Sequence, residues 1–157
     1  MRMNHPEPTG DALAQRVQRL EDLMAIHQLF IDYGRYLDAG DFDGYASLFA
    51  EDGEVLLGPL GRAKGRAAIK ELMTRALAGR QGSSYHIISS PQVVLDGDRA
   101  TATVMWTVIA RTSDGGAALT MVGHHADVLR RERDGWRFVR RKGYVDLPST
   151  MPRPQSS

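Results

Sequence analysis

The strongest constraint on this chain is a change of period near its middle. Up to Gly79 apolar residues recur every three or four positions, the spacing of amphipathic helices. From Tyr85 onward, Val-, Ile- and Thr-rich runs are punctuated by Asp-Gly turns. Helices first and an antiparallel meander afterwards define an α+β domain, with the helices packed on one face of a curved sheet. A chain of 157 residues makes one such domain. Residues 1–10 carry two prolines and a glycine and read as a flexible lead-in, residues 148–157 as a flexible tail, and 11–147 as the single domain between them.

Asp11 is placed to cap a long helix that runs to about Ala39 and stops at Gly40. Its apolar residues form two stripes. Leu13, Val17, Leu20 and Met24 come first; Leu23, Ile26, Phe30, Tyr33 and Leu37 then take over on a shifted face. That shift allows a bend near Glu21–Ala25 or a break into two helices. Asp41 caps a short helix, Phe42–Ala50, and Glu54–Leu57 reads as a short strand. A third helix spans roughly Arg66–Ala78 and ends at Gly79. The strands expected after it are Tyr85–Ser89, Gln92–Leu95, Ala100–Thr112, Ala117–Arg130 and Trp136–Val145. Turns at Asp96-Gly97-Asp98, Ser113-Asp114-Gly115-Gly116 and Asp134-Gly135 join the later ones.

Charge and composition remove several function classes. Twenty Lys and Arg against 19 Asp and Glu leave a net charge of +1, without the basic excess of a nucleic-acid binder. No apolar run approaches the roughly 18 residues of a membrane span, and MRMNHPEPTG has no apolar segment of a secretory signal. The absence of cysteine excludes disulfides, a thiol nucleophile and a thiolate metal site. A cytoplasmic protein is expected, with neither nucleic acid nor membrane as partner.

The chemistry then falls to carboxylates, imidazoles and phenols. His5 lies in the lead-in, and His27 on the first helix reads as exposed or at an interface. His86 stands in the otherwise apolar Ser84-Tyr85-His86-Ile87-Ile88, where an unpartnered imidazole is costly to bury. It is either a core histidine satisfied by a backbone carbonyl or a functional one. Asp38 lies in the last turn of the first helix, where the macrodipole disfavours negative charge, so it points to water or sits beside a proton donor. His124 and His125 are adjacent on a strand and point to opposite faces. Parity leaves the choice open; if Gly123, His125 and Asp127 face inward, His125 is the pocket residue. Apolar residues on both faces of Ala100–Ile109 point to a covered outer sheet face, expected to join a homodimer.

Other signals are weaker. No two histidines have the i, i+4 spacing of a helical zinc motif, so no metal site is expected. Gly58–Gly65 has the look of a phosphate loop, but Lys64 precedes the final glycine and no Ser or Thr follows, so it reads as a turn before a helix. Arg130, Arg131, Arg133, Arg137, Arg140, Arg141 and Lys142 are split between faces by alternation and read as a solvated rim.

Taken together, the segments Tyr33–Asp41, Leu48–Asp52, Lys64–Ile69, Tyr85-His86, Leu95–Ala100 and Asp134–Phe138 resemble the SnoaL-like family of the nuclear-transport-factor-2-like superfamily. The resemblance covers about Leu20 to Leu147. It implies a cone-shaped α+β barrel: a strongly curved mixed or antiparallel sheet wrapped around three N-terminal helices and one deep apolar pocket, usually in a homodimer. Asp38 and His86 are similar to the Asp–His pair of the scytalone dehydratase and bile-acid dehydratase branch, and Tyr33 matches a tyrosine five residues before the acid in the latter. The chain departs from that bile-acid enzyme at Thr107, Val108 and Ile109, where it has an acid, and at Asp146, where it has an arginine. Val55-Leu56-Leu57 lacks the base that ketosteroid isomerases place on their first strand.

The resemblance therefore implies a cofactor-independent lyase acting on a small hydrophobic oxygenated or cyclic molecule. His86 would remove a proton from carbon, with Asp38 fixing its tautomer, and Tyr33 or His125 would donate to the leaving hydroxyl or developing enolate. Tyr36, Phe30, Trp106 and Asp127 are the expected pocket-lining residues. A polyketide-type cyclase or isomerase, and a non-catalytic hydrophobic-ligand-binding module, are the alternatives.

Overall fold

The computed structural model describes residues 10–148, so the lead-in and tail expected at the two ends lie outside the described residues apart from Gly10 and Pro148. Helix α1 (Gly10–Ala39) is one unbroken helix of 30 residues. Its two stripes need no bend because they do different things. Ile26, Leu29, Phe30, Tyr33 and Leu37 are buried in the core, whereas Leu13, Val17, Leu20 and Met24 are exposed. The helix already includes Gly10, so Asp11 lies within its first turn and is not its cap.

Helix α2 (Phe42–Ser47) is capped as expected, the Asp41 carboxylate accepting the Gly44 N–H at 2.8 Å. It stops sooner than its apolar spacing indicates. Phe49 and Ala50 extend the helical pattern, yet they open strand β1 (Phe49–Leu56), where Phe49 pairs with Phe138. After a 3-10 turn at Gly58–Leu60, strand β2 (Arg62–Lys64) folds back antiparallel on β1, so the segment read as a plain turn holds a small hairpin. Helix α3 (Arg66–Ala76) follows. The rest of the chain is the meander β3 (Ser84–Asp96), β4 (Arg99–Arg111), β5 (Ala117–Glu132) and β6 (Gly135–Leu147).

The sheet order is β2-β1-β6-β5-β4-β3. The β1–β6 pair is parallel and the others antiparallel, so the sheet is mixed. It does not close: β2 and β3 are its free edges. Ser90-Pro91, read as a gap between two strands, is a bulge inside β3, with Ser90 at φ 51° and the register shifting between Ser89 and Gln92. Further shifts fall at Val108/Ile109, Val122/Gly123 and Val128/Leu129. Each inserts a residue, bends its strand and sharpens the twist, so the sheet curls around the C-terminal half of α1. Ala100, Ala102, Val104, Leu129, Trp136 and Phe138 form the inner surface against Phe30, Tyr45 and Phe49. No helix among the described residues is long and apolar enough to cross a membrane.

A buried carboxylate pins α1 to the β5–β6 hairpin. Asp22 accepts both terminal nitrogens of Arg131, one at 2.6 Å, and the Trp136 indole N–H at 3.1 Å. The Arg131 guanidinium also lies 4.9 Å over the Trp136 ring. Hydrogen bonding to Arg131 holds the Asp22 carboxyl below the usual carboxylate range despite burial. This contribution is complete above the ordinary aspartate pKa and is lost as pH falls through the lowered one. Replacing Asp22 with alanine strands the indole N–H and should lower unfolding free energy in urea by about 2–4 kcal/mol at pH 7. An unchanged midpoint would mean that the pin contributes nothing.

Candidate active site

Helix α1 comes close to β3 at Gly34. A Cβ there would lie 3.1 Å from Ile88 Cγ1 and 3.5 Å from the His86 carbonyl oxygen, so the missing side chain lets helix and strand meet. One turn later on the same face, Asp38 reaches His86. Its carboxylate accepts the His86 backbone N–H at 3.0 and 3.1 Å and faces ring Nδ1 at 2.8 Å. These two donors answer the unfavourable end of the helix dipole. A carboxylate can only accept, so Nδ1 carries the hydrogen, and in the neutral ring Nε2 is the nitrogen with the lone pair. Nε2 has no protein hydrogen-bond partner among the described residues. His86 and Asp38 keep 15% and 18% of their side-chain surface open. The dyad is therefore sheltered but reachable.

Tyr33 lies behind it. Its ring stands edge-on to His86 at 6.2 Å and to His125 at 5.0 Å, and tilts against Tyr45 at 5.6 Å. The Tyr33 hydroxyl is 3.4 Å from His125 Nε2. The Arg141 guanidinium lies 4.4 Å from the Tyr33 ring centre and 4.0 Å from that of Phe138. Arg141 donates through Nε and Nη2 to the two oxygens of Asp127, at 2.8 and 2.7 Å, and neither side chain has any exposed surface.

Four buried polar atoms here lack a protein partner among the described residues: Tyr45 Oη, Trp106 Nε1, His125 Nδ1 and Arg141 Nη1. The indole and guanidinium nitrogens can only donate, so the interior is rich in donors and its natural complement is an oxygen acceptor. Burial drives His125 well below its ordinary pKa, and the positive charge of Arg141 acts in the same direction. His125 is thus a neutral imidazole. Burial also pushes the Tyr33 hydroxyl up to about 12, against the pull of Arg141, so it stays protonated. Burial by itself lowers the Arg141 pKa, but the charge and hydrogen bonds of Asp127 leave it above its usual value.

Among the expected pocket residues, the structure gathers Tyr33, His86, His125, Asp127, Trp106 and Phe30 around Arg141 or next to it. Phe30 lies 5.7 Å from the guanidinium, and Trp106 lies 5.9 Å from His125. The indole occupies the space of a side chain at Gly123, where a Cβ would come within 2.2 Å of it. Tyr36 stands apart and packs over Gly44 at the α1–α2 corner. Parity between the paired histidines resolves with His125 inside, while His124 faces out, bonded to Asp146 at 2.8 Å and stacked on Tyr144 at 4.7 Å.

Arg141 was expected on a solvated rim and is instead completely buried. Trp136 and Phe138 face inward, so plain alternation would turn Arg141 outward. Leu129 pairs with Phe138 but Val128 pairs with Arg140, leaving Val139 as a bulge that reverses parity and brings Arg141 in.

Among the described residues, the cavity beside the Asp38–His86 pair is small and not the deep apolar pocket that the resemblance implies. The cavity touching both members of the dyad is about 20 Å³, room for about one water, walled by Leu37, Phe42, Arg80 and Gln81. A larger recess of about 650 Å³ lies on the opposite face of the sheet, bordered by Val94, Thr101, Arg140 and Tyr144.

Three helices on a curled, open mixed sheet, with an Asp–His pair at the helix–sheet seam, define the class of small cone-shaped α+β domains. The model of the SnoaL-like domain matches residues 18–142, and the chain belongs to that family. Solved structures agree. A nuclear-transport-factor-2-like protein with a cystatin-like fold from Novosphingobium aromaticivorans is 33% identical, with a TM-score of 0.81 over 92% of this chain and 95% of that one. A proposed scytalone dehydratase from the same organism is 25% identical, covering 82% and 87% of the two chains with a TM-score of 0.70. ActVI-ORFA from Streptomyces coelicolor is also 25% identical, covering 79% and 96% with a TM-score of 0.69. No curated protein matches the chain.

Two outcomes follow from the buried charges. His125 titrates near pH 6.5 when unfolded and lower when folded, so below 6.5 the unfolded chain binds more protons and stability falls with pH. The slope from this one group approaches about 1.4 kcal/mol per pH unit. Unfolding free energies of a His125→Gln variant should decline less steeply between pH 7 and 5 than those of the wild type; parallel curves would contradict a neutral His125. Separately, Arg141→Met should cost about 3–5 kcal/mol by stranding Asp127, and adding Asp127→Leu should recover most of it in a double-mutant cycle.

Proposed function

We propose that this chain is a cytoplasmic lyase, working with its own side chains on a small, largely apolar, oxygenated or cyclic molecule. The observation that carries the reading is the Asp38–His86 pair, with Nδ1 bound to a carboxylate and Nε2 free. In the proposed step Nε2 takes a proton from carbon, the C–H electron pair forms a C=C bond, and a hydroxyl on the neighbouring carbon leaves with its bonding electrons. Asp38 holds the required tautomer and stabilises the imidazolium as it forms. Tyr33, still protonated at neutral pH, is a hydrogen-bond donor to the departing oxygen. The free N–H groups of Arg141 and Trp106 favour a substrate whose second oxygen gains negative charge as the proton leaves.

The likeness to a proposed scytalone dehydratase supports elimination over other uses of the same base. An isomerase or cyclase would begin with the same proton abstraction and differ in what leaves. Because the cavity holds about one water, substrate entry displaces Arg80 and Gln81 from the mouth. The exposed Val94, Met105 and Tyr144 support a second copy of the chain on the outer sheet face.

The test is a panel of cyclic β-hydroxy ketones, followed by the ultraviolet absorbance of the conjugated product. His86→Ala and Asp38→Asn should each lower kcat by about 10²–10⁴ while circular dichroism shows an intact fold. Wild-type rates in either variant would overturn the reading. Loss of the fold in both would assign the pair a structural role instead.

A further inference from the structure

Helix α1 carries an apolar stripe that its own domain does not use. Leu13, Val17, Leu20, Met24 and Ile31 are between 45% and 72% exposed, although all five stand on one regular helix. Their spacing of four, three, four and seven residues is that of a coiled-coil seam. Assigning Leu13, Leu20 and His27 to heptad position d places Val17, Met24 and Ile31 at a. The residues by which α1 docks on its own sheet, Asp22, Ile26, Leu29, Phe30 and Tyr33, then fall at c, f and g. The seam therefore faces away from the domain over about three heptads, on the order of 30 Å.

We propose that this stripe is a self-association surface, on which the α1 helices of two copies of the chain pair in parallel and in register. Three observations select that occupant. Val17 and Ile31 are β-branched at a while Leu13 and Leu20 stand at d, the combination that favours two parallel strands. Arg16 falls at g and Glu21 at e, so a parallel pair sets Arg16 of one copy against Glu21 of the other on both sides of the seam. Neither residue has an ion-pair partner among the described residues of its own chain, and both are exposed. An anionic lipid surface is a poorer match, because Asp11 and Glu21 offset Arg16 and Arg19 along the same helix. This contact is separate from the outer sheet face, and the two can coexist in one assembly.

The lack of native cysteine makes a direct test clean. Leu20→Cys puts a thiol at a d position, and mild oxidation of the full chain should yield a covalent dimer on a non-reducing gel. Gln15→Cys, at f on the outside of the pair, should yield little. Sedimentation equilibrium supplies the second readout. Arg16→Glu and Glu21→Arg should each weaken association about three- to tenfold, and the Arg16→Glu/Glu21→Arg double variant should restore it. These substitutions lie outside the Asp38–His86 site, so the proposed activity should not change. Equal cross-linking of both thiols, absence of cross-linking with an intact fold, or failure of the double charge swap to restore association would overturn parallel pairing.

Discussion

A charged pair with no exposed surface lies at the centre of this domain, and its chemistry is arranged around it. Asp127 and Arg141 meet through two hydrogen bonds on adjacent inward strands. Removing both charges from water is expensive, and the parallel geometry together with the faces of Tyr33 and Phe138 offsets that cost. The arrangement then propagates outward. The positive charge helps to keep His125 neutral, the guanidinium supports the Tyr33 ring, and the edge of Tyr33 meets His86. A simple apolar core would fill the same space but would supply none of these donors.

The two inner histidines show how environment assigns roles. His125 sits beside a cation, so a second positive charge there is opposed. His86 sits beside the Asp38 carboxylate, which accepts its Nδ1–H at 2.8 Å, and its Nε2 is the base of the proposed elimination. One is therefore suited to hydrogen bonding and the other to accepting a proton. The close approach at Gly34 is what brings the acid on α1 within reach of the imidazole on β3.

Much of this was legible in the residues, and the failures share a cause. Asp38 and His86 stood out because each was costly where local pattern placed it, and the structure brings them together. Strand alternation put His125 and Asp127 on a common face, as found. Arg141 escaped notice because alternation is reliable only between bulges, and the bulge at Val139 reverses it. Ser90-Pro91 hid a continuous strand for the same reason. Phe49 and Ala50 fit a helical stripe, and only the parallel pairing with β6, about ninety residues away, makes them a strand. The leading stripe of α1 was visible as periodicity, but periodicity does not say what covers it.

The claim on which the functional account rests is the protonation pattern of His86. Long-range nitrogen–proton NMR correlations of the imidazole rings in the wild-type chain, at a pH where the ring is neutral, report it directly. The account predicts His86 as the Nδ1–H tautomer, with an unprotonated Nε2, and loss of that preference in Asp38→Asn. An Nε2–H tautomer in the wild type would leave no base facing the cavity and would contradict it.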